Sequence, residues 1–211
     1  MKDAPVPGPM VVFTKCTPYL VVGVTDCRDA EGRPVAMQPV TALCRCGRSS
    51  NEPYCDGTHS RIGFVGEKRP PHARDRVRDV VGKEITIHDN RGLCAHDGSC
   101  VRGLPSVFRD GRIPWIDPDG ASPGEIMATI DQCPSGALGY TFRGKRGPEP
   151  DRPPAIRIAK NGPYRLEGWI RIVDDLGSTP QSGEHCTLCR CGRARNKPFC
   201  DGSHDDAPFE G

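Results

Sequence analysis

Apolar residues fall in short runs broken by Gly, Pro and charge, which predicts short strands and turns rather than long elements. Tyr19-Leu20-Val21-Val22 and residues 165–172 read as strands. Residues 84–88 (EITIH) and 138–142 (LGYTF) read as a strand pair. One helix is clear. Ser122 is its N-cap, Pro123 its first helical position, and Glu125 closes a capping box. Ile126, Met127 and Ile130 then share a face, and the helix delivers Cys133-Pro134 at its end. No run approaches the ~20 apolar residues that span a bilayer. Residues 1–9 lack the apolar run of a signal peptide. A soluble, cytoplasmic chain is expected.

A repeat organises these elements. Residues 14–64 and 159–209 align without a gap at a constant offset of 145, with 19 of 51 pairs identical. Both copies open with Pro-Tyr and a later Gly (Pro18-Tyr19 and Gly23; Pro163-Tyr164 and Gly168). The densest match, 43–59 against 188–204, is identical at 12 of 17 positions. Residues 67–72 (EKRPPH) and 144–154 (GKRGPEPDRPP) read as extended, solvated linkers. Three modules follow: 1–66, 73–143 and 155–211.

Composition sharpens the question. Gly and Pro make up 47 of 211 residues, hydrophobic residues only 36% and aromatics 6%. One large apolar core is not expected, and small modules with weak cores need a staple. Twelve cysteines offer one, and in a reducing compartment clustered cysteines favour metal over disulfides. The charge is nearly balanced, 29 basic against 27 acidic, so nothing points to nucleic acid.

Each repeat carries C-x-C-x8-C-x3-H: Cys44, Cys46, Cys55 and His59, then Cys189, Cys191, Cys200 and His204. Three thiolates and an imidazole suit zinc or an iron–sulfur cluster. On a strand, residues i and i+2 point to one side, so Cys44 and Cys46 can grip one iron. A helical turn begun at Asp56 or Gly57, with Asp56 capping, puts Cys55 and His59 on one face for a second iron. Zinc is the competing occupant, although one residue between the first two cysteines departs from the usual zinc spacing. Cys186 aligns with Thr41 and reads as a non-ligand. Cys16 and Cys27 align with Asn161 and Ile172 and read as structural or incidental.

These residues resemble the CDGSH (mitoNEET-like) iron–sulfur family. Thr58 and Tyr54 depart from its pattern at non-ligand positions. The resemblance implies one [2Fe-2S] cluster on Cys44, Cys46, Cys55 and His59, and a second on Cys189, Cys191, Cys200 and His204. Family members with one motif form dimers. Two motifs imply a monomer whose copies pair internally as a pseudo-dimer, without mitoNEET's membrane anchor.

Between the repeats stand Cys94-Ala95-His96-Asp97-Gly98-Ser99-Cys100 and Cys133-Pro134-Ser135-Gly136-Ala137-Leu138. Cys-Pro before an apolar strand is similar to bacterial ferredoxins. With Pro114-Trp115-Ile116-Asp117, residues 80–142 resemble the divergent single-cluster ferredoxin family. That resemblance implies a [3Fe-4S] or [4Fe-4S] cluster on Cys94, Cys100 and Cys133. The fourth ligand stays open among His96, Asp97 and none; His96 or none is favoured, and both are also readable as ordinary loop residues. His72, His88 and His185 have no motif context and are expected to be solvated. The implied fold is α+β, small and β-rich: two CDGSH folds paired within the chain, plus a ferredoxin-like insert.

The expected function is electron transfer, with a reductase or acceptor protein as partner. A cluster donor to an apo iron–sulfur acceptor, or a redox or pH sensor, is the alternative. A zinc-stapled interaction module is a third reading, which visible absorption decides. No nucleophile–base set, phosphate loop or flavin motif suggests an enzyme, and no membrane partner is expected. An imidazole ligand binds only when its coordinating nitrogen is free of a proton. Acid is therefore expected to release the two His-ligated clusters, and replacing His59 and His204 by Cys to slow that bleaching.

Overall fold

The computed structural model describes residues 8–72, 75–175, 177–178, 180, 182–206 and 209–211; the signal-peptide reading of the extreme N-terminus lies largely outside them. The first repeat forms β1 (Met10–Phe13), β2 (Tyr19–Val22), β3 (Asp26–Arg28), β4 (Val40–Leu43) and a helical turn, α1 (Thr58–Arg61). The middle segment forms β5 (Arg78–Val81), β6 (Ile85–Asp89), α2 (Ser99–Gly103), α3 (Pro123–Ile130), β7 (Leu138–Phe142) and β8 (Lys145–Arg146). The second repeat forms β9 (Ala155–Ile158), β10 (Tyr164–Glu167), β11 (Arg171–Asp174) and β12 (Cys186–Leu188).

These strands make three four-stranded sheets, ordered β11-β1-β2-β4, β12-β10-β9-β3 and β5-β6-β7-β8. Each repeat lends a strand to the other. β3 runs parallel to β9, pairing Cys27 with Ile156, and β11 runs parallel to β1, pairing Val11 with Ile172. Residues 165–172 are therefore not one strand. Gly168 and Trp169, both at positive φ (78° and 60°), break the run and send β11 across to the first repeat's sheet.

The exchange pools scarce apolar residues. Val11, Phe13, Tyr19 and Leu43 pack in one buried cluster with Ile156, Tyr164, Leu188 and Phe199, and the middle segment adds Leu93 and Ala137. A core larger than composition suggests results, because two weak repeats share it. The buried tyrosines lock the pairing reciprocally. Tyr19 donates its hydroxyl to the Cys189 carbonyl (3.1 Å), and Tyr164 donates to the Cys44 carbonyl (3.0 Å).

The middle segment keeps its own core of Ile85, Ile87, Val107, Phe108, Ile116, Ile126 and Ile130. Helix α3 starts as the sequence suggests: Ser122 Oγ accepts the Glu125 amide, Glu125 accepts the Ser122 amide, and Pro123 opens the helix. The second linker differs from expectation. Its first residues close β8 against β7, and Arg152 then docks in a doubly hydrogen-bonded ion pair on Glu184, whose side chain is 0% exposed.

Candidate iron–sulfur centres

Each outer motif is built from a strand end and the chain returning beside it. In the first, the Cys44 amide donates to the Pro53 carbonyl (2.7 Å) and the Cys55 amide to Ala42 (2.9 Å). In the second, Cys189 donates to Pro198 (2.8 Å) and Cys200 to Thr187 (3.1 Å). The third cysteine of each motif is thereby brought beside the first two.

Donor atoms then come in pairs. Cys44 and Cys46 hold their Sγ atoms 3.8 Å apart, as do Cys189 and Cys191. Cys55 Sγ lies 3.2 Å from His59 Nδ1, and Cys200 Sγ lies 3.4 Å from His204 Nδ1. Two thiolates ~2.3 Å from one tetrahedral metal stand about 3.8 Å apart, and a thiolate and an imidazole about 3.5 Å. Each pair therefore fits one metal ion. A mononuclear site would hold all its donors that close. Among the described residues, the only three His, Cys or acidic donors within 4.8 Å of one another are Glu149, Glu184 and His185. The Cys-x-Cys pair and the Cys/His pair thus stand apart.

Asp56 sets the Cys55/His59 pair, but from a different place than expected. Gly57 holds the N-cap position at φ 83°, and Asp56 accepts the Ser50 and Thr58 amides, both at 3.0 Å, from one residue earlier. Those bonds, Ser50 first, hold its carboxyl well below the usual range, so it stays ionised. The Gly57 amide also points at Cys55 Sγ (3.4 Å). Burial pushes the Cys46 thiol up to about 11, so ionising it there calls for a cation, which a metal centre supplies.

The two motif loops pack backbone to backbone. Gly47 (φ 65°) and Gly192 (φ 72°) face Cys191 and Cys46, and a Cβ on either would overlap the opposing carbonyl. Only glycine fits at this contact.

In the middle segment, Cys94 follows the turn after β6, Cys100 lies in α2 and Cys133 follows α3. The three line one recess, together with His96 and Asp97. Burial pushes the Cys100 thiol up to about 11, as it does Cys46. Asp97 is already engaged by Arg165 at 3.0 Å, and His96 sits in left-handed backbone (φ 55°) against Gly202.

Cys27 and Cys186 are buried in the shared core and Cys16 is exposed. Two of the three histidines expected to be solvated are engaged instead. His88 bridges Asp79 (2.7 Å) and Thr141 (2.8 Å). His185 joins Glu184 (2.8 Å) to the Cys133 carbonyl (3.0 Å), tying the second repeat to a middle-segment cysteine. His185 aligns with Val40, so no repeat signal marked it. Lys197, fully buried beside the second motif, also escaped notice because lysine is normally a surface residue.

Comparisons with known proteins agree with this layout. Residues 17–60 and 161–205 match the family described as iron-binding zinc finger, CDGSH type, and residues 80–143 match the divergent 4Fe-4S mono-cluster family. The uncharacterised protein YjdI of Escherichia coli strain K12 is 43% identical over 66 residues, which is 31% of this chain and 87% of YjdI. YjdI of E. coli O157:H7 matches equally. No solved structure matches. With two CDGSH segments flanking a divergent 4Fe-4S segment, and with YjdI as a homologue, the chain is an iron–sulfur protein.

Proposed function

We propose that the chain is a three-centre electron carrier. Cys44, Cys46, Cys55 and His59 hold one [2Fe-2S] cluster, and Cys189, Cys191, Cys200 and His204 hold another. Cys94, Cys100 and Cys133 hold a [3Fe-4S] or [4Fe-4S] cluster. The observation that carries this reading is the pairing of donors. Two pairs of one-metal width, set apart, suit a two-iron cluster and not a single zinc ion. The reciprocal strands and tyrosine bonds support an internal pseudo-dimer acting as a monomer.

When bound, each cluster supplies a one-electron couple. The chain's own groups hold it, shield it and aim it. The Gly57 amide stabilises the Cys55 thiolate, and Arg91 does the same for Cys94 (Nη1 to Sγ, 3.6 Å). His96 packs on Gly202, so the middle recess lies directly against the second motif, a short path for an electron. Among the described residues no helix is long and apolar enough to cross a membrane. We place the protein in the cytoplasm, serving a redox partner protein, without catalysis of its own.

Anaerobic purification with iron and sulfide counts and EPR tests this. About seven or eight irons per chain support three clusters, about four leave the middle recess empty, and a colourless zinc protein refutes the proposal. Cluster donation is the second reading, favoured by the half-buried Cys55 and His59. Transfer to an apo-ferredoxin, followed spectroscopically, separates the two.

A further inference from the structure

The repeats align residue for residue around their motifs, and one aligned pair reverses charge. Position 52 is Glu and position 197 is Lys. Each immediately precedes the proline whose carbonyl accepts the amide of its motif's first cysteine, so the backbone presents the two side chains alike.

Lys197 is 0% exposed. Its ammonium donates to the Ala194 carbonyl and lies 6.0 Å from the Phe64 ring. The Cys189 and Cys191 sulfurs, Arg69 and Arg45 lie near it, and among the described residues no carboxylate forms an ion pair with it. Glu52 is half-buried beside Cys44, with Oε2 enclosed and unbonded and Arg190 as its charged neighbour.

Several other charges around the motifs recur in both repeats or are weak, and Arg69 adds to the positive side of Lys197. Arg45 and Arg190 occupy equivalent positions, one in each Cys-x-Cys, and both are buried. Asp56 and Asp201 are likewise equivalent. Asp205, beside His204 at 3.4 Å, opposes Lys197, but its side chain is 68% exposed and screened by water. A buried charge acts through a lower dielectric and weighs more.

We propose that Glu52 and Lys197 hold the two outer centres at different reduction potentials, the centre at Cys189, Cys191, Cys200 and His204 being the more easily reduced. This rests on the reading that both motifs carry [2Fe-2S] clusters. One electron from an added reductant such as dithionite, which is itself oxidised, turns one ferric ion ferrous and makes the centre one unit more negative. A buried cation favours that change and a buried anion opposes it. The second centre, enclosed beneath the middle segment, is then the internal electron sink, and the more open first centre is the stronger donor.

The test is an EPR-monitored redox titration of the anaerobically purified full chain, with iron and sulfide counted first. Wild type is expected to show two outer midpoints. Lys197→Met should lower only the higher one, by at least tenfold in the reduction equilibrium, about 59 mV for one electron. Glu52→Gln should raise only the lower one, and Lys197→Arg, which keeps the charge, should move neither. If Lys197→Met fails to load, Glu52→Lys decides instead by bringing the midpoints together. Full loading with one unsplit midpoint, or variants that shift neither or both alike, overturns the inference and leaves the functional reading standing. A wild-type chain carrying no [2Fe-2S] cluster overturns both.

Discussion

The two outer motifs are identical at 12 of 17 positions, yet one is open and the other is covered. Cys200 and Asn196 are each 2% exposed, while their counterparts Cys55 and Asn51 are half-buried and exposed. The cover is the middle segment. Asn196 donates its amide to the Gly92 carbonyl, His96 packs on Gly202, Arg165 pairs with Asp97, and His185 reaches the Cys133 carbonyl. No equivalent cover lies over the first motif among the described residues. A repeated motif therefore gives two similar sets of donors but not two equivalent sites. What differs is the neighbour, which closes the second set of donors and leaves the first more open to solvent.

The sharpest way to break this comparison is to remove one cysteine from each motif. Cys55→Ser and Cys200→Ser should each lose about two irons per chain, one cluster's worth. The losses should differ in their reach. Binding energy at a centre is also folding energy, and the second centre underlies the middle segment. Cys200→Ser should therefore melt several degrees lower than Cys55→Ser, at roughly 2–4 °C per kcal/mol for this length. Calorimetry reads the gap. Equal melting temperatures would mean that the cover does not depend on the centre beneath it.

A matched pair of glycines gives the next effect. Gly57 and Gly202 are equivalent and share a left-handed φ, 83° and 80°. A Cβ at Gly57 meets nothing within 4 Å, whereas one at Gly202 comes within 2.9 Å of His96 Cβ. Gly57→Ala should cost only the backbone strain, about 1–2 kcal/mol. Gly202→Ala should cost that and also push His96 away. Hydrogen exchange should then rise across residues 92–97 in Gly202→Ala alone. Faster exchange there in both variants would show that the contact does not hold the cover down.

Much of this was legible from local signals. The offset of 145 placed the second motif. The capping box placed α3, and the apolar runs at 84–88 and 138–142 placed β6 and β7 nearly residue for residue. What escaped was set by distant partners. Nothing local in Asp26–Arg28 says that it joins a strand starting at Ala155, because parallel pairing across the chain is decided by the shared core. The break at Trp169 was hidden because a bulky residue rarely adopts positive φ. His185 and Lys197 looked like surface residues, but distant segments enclose them, Cys133 of the middle segment beside His185 and Phe64 of the first repeat beside Lys197. The donor sets were readable as spacing, but their unequal burial was not, since it belongs to the cover and not to the motif.

The smallest effect tests the edge of the cover and the middle recess together. Asp97 lines that recess and pairs with Arg165, which projects from β10 of the second repeat. Both side chains are partly exposed, 28% and 38%, so the pair should contribute less than about 1 kcal/mol and weaken with salt. Asp97→Asn should lower the melting temperature by no more than a few degrees, with the difference shrinking at high ionic strength. The iron count should not change, because a carboxylate committed to Arg165 is a poor ligand for a cluster. A loss of iron in Asp97→Asn, with the fold intact, would instead make Asp97 a ligand of the middle centre. The second repeat would then hold that centre's ligand in place as well as cover it, tying the two sites more closely than packing alone does.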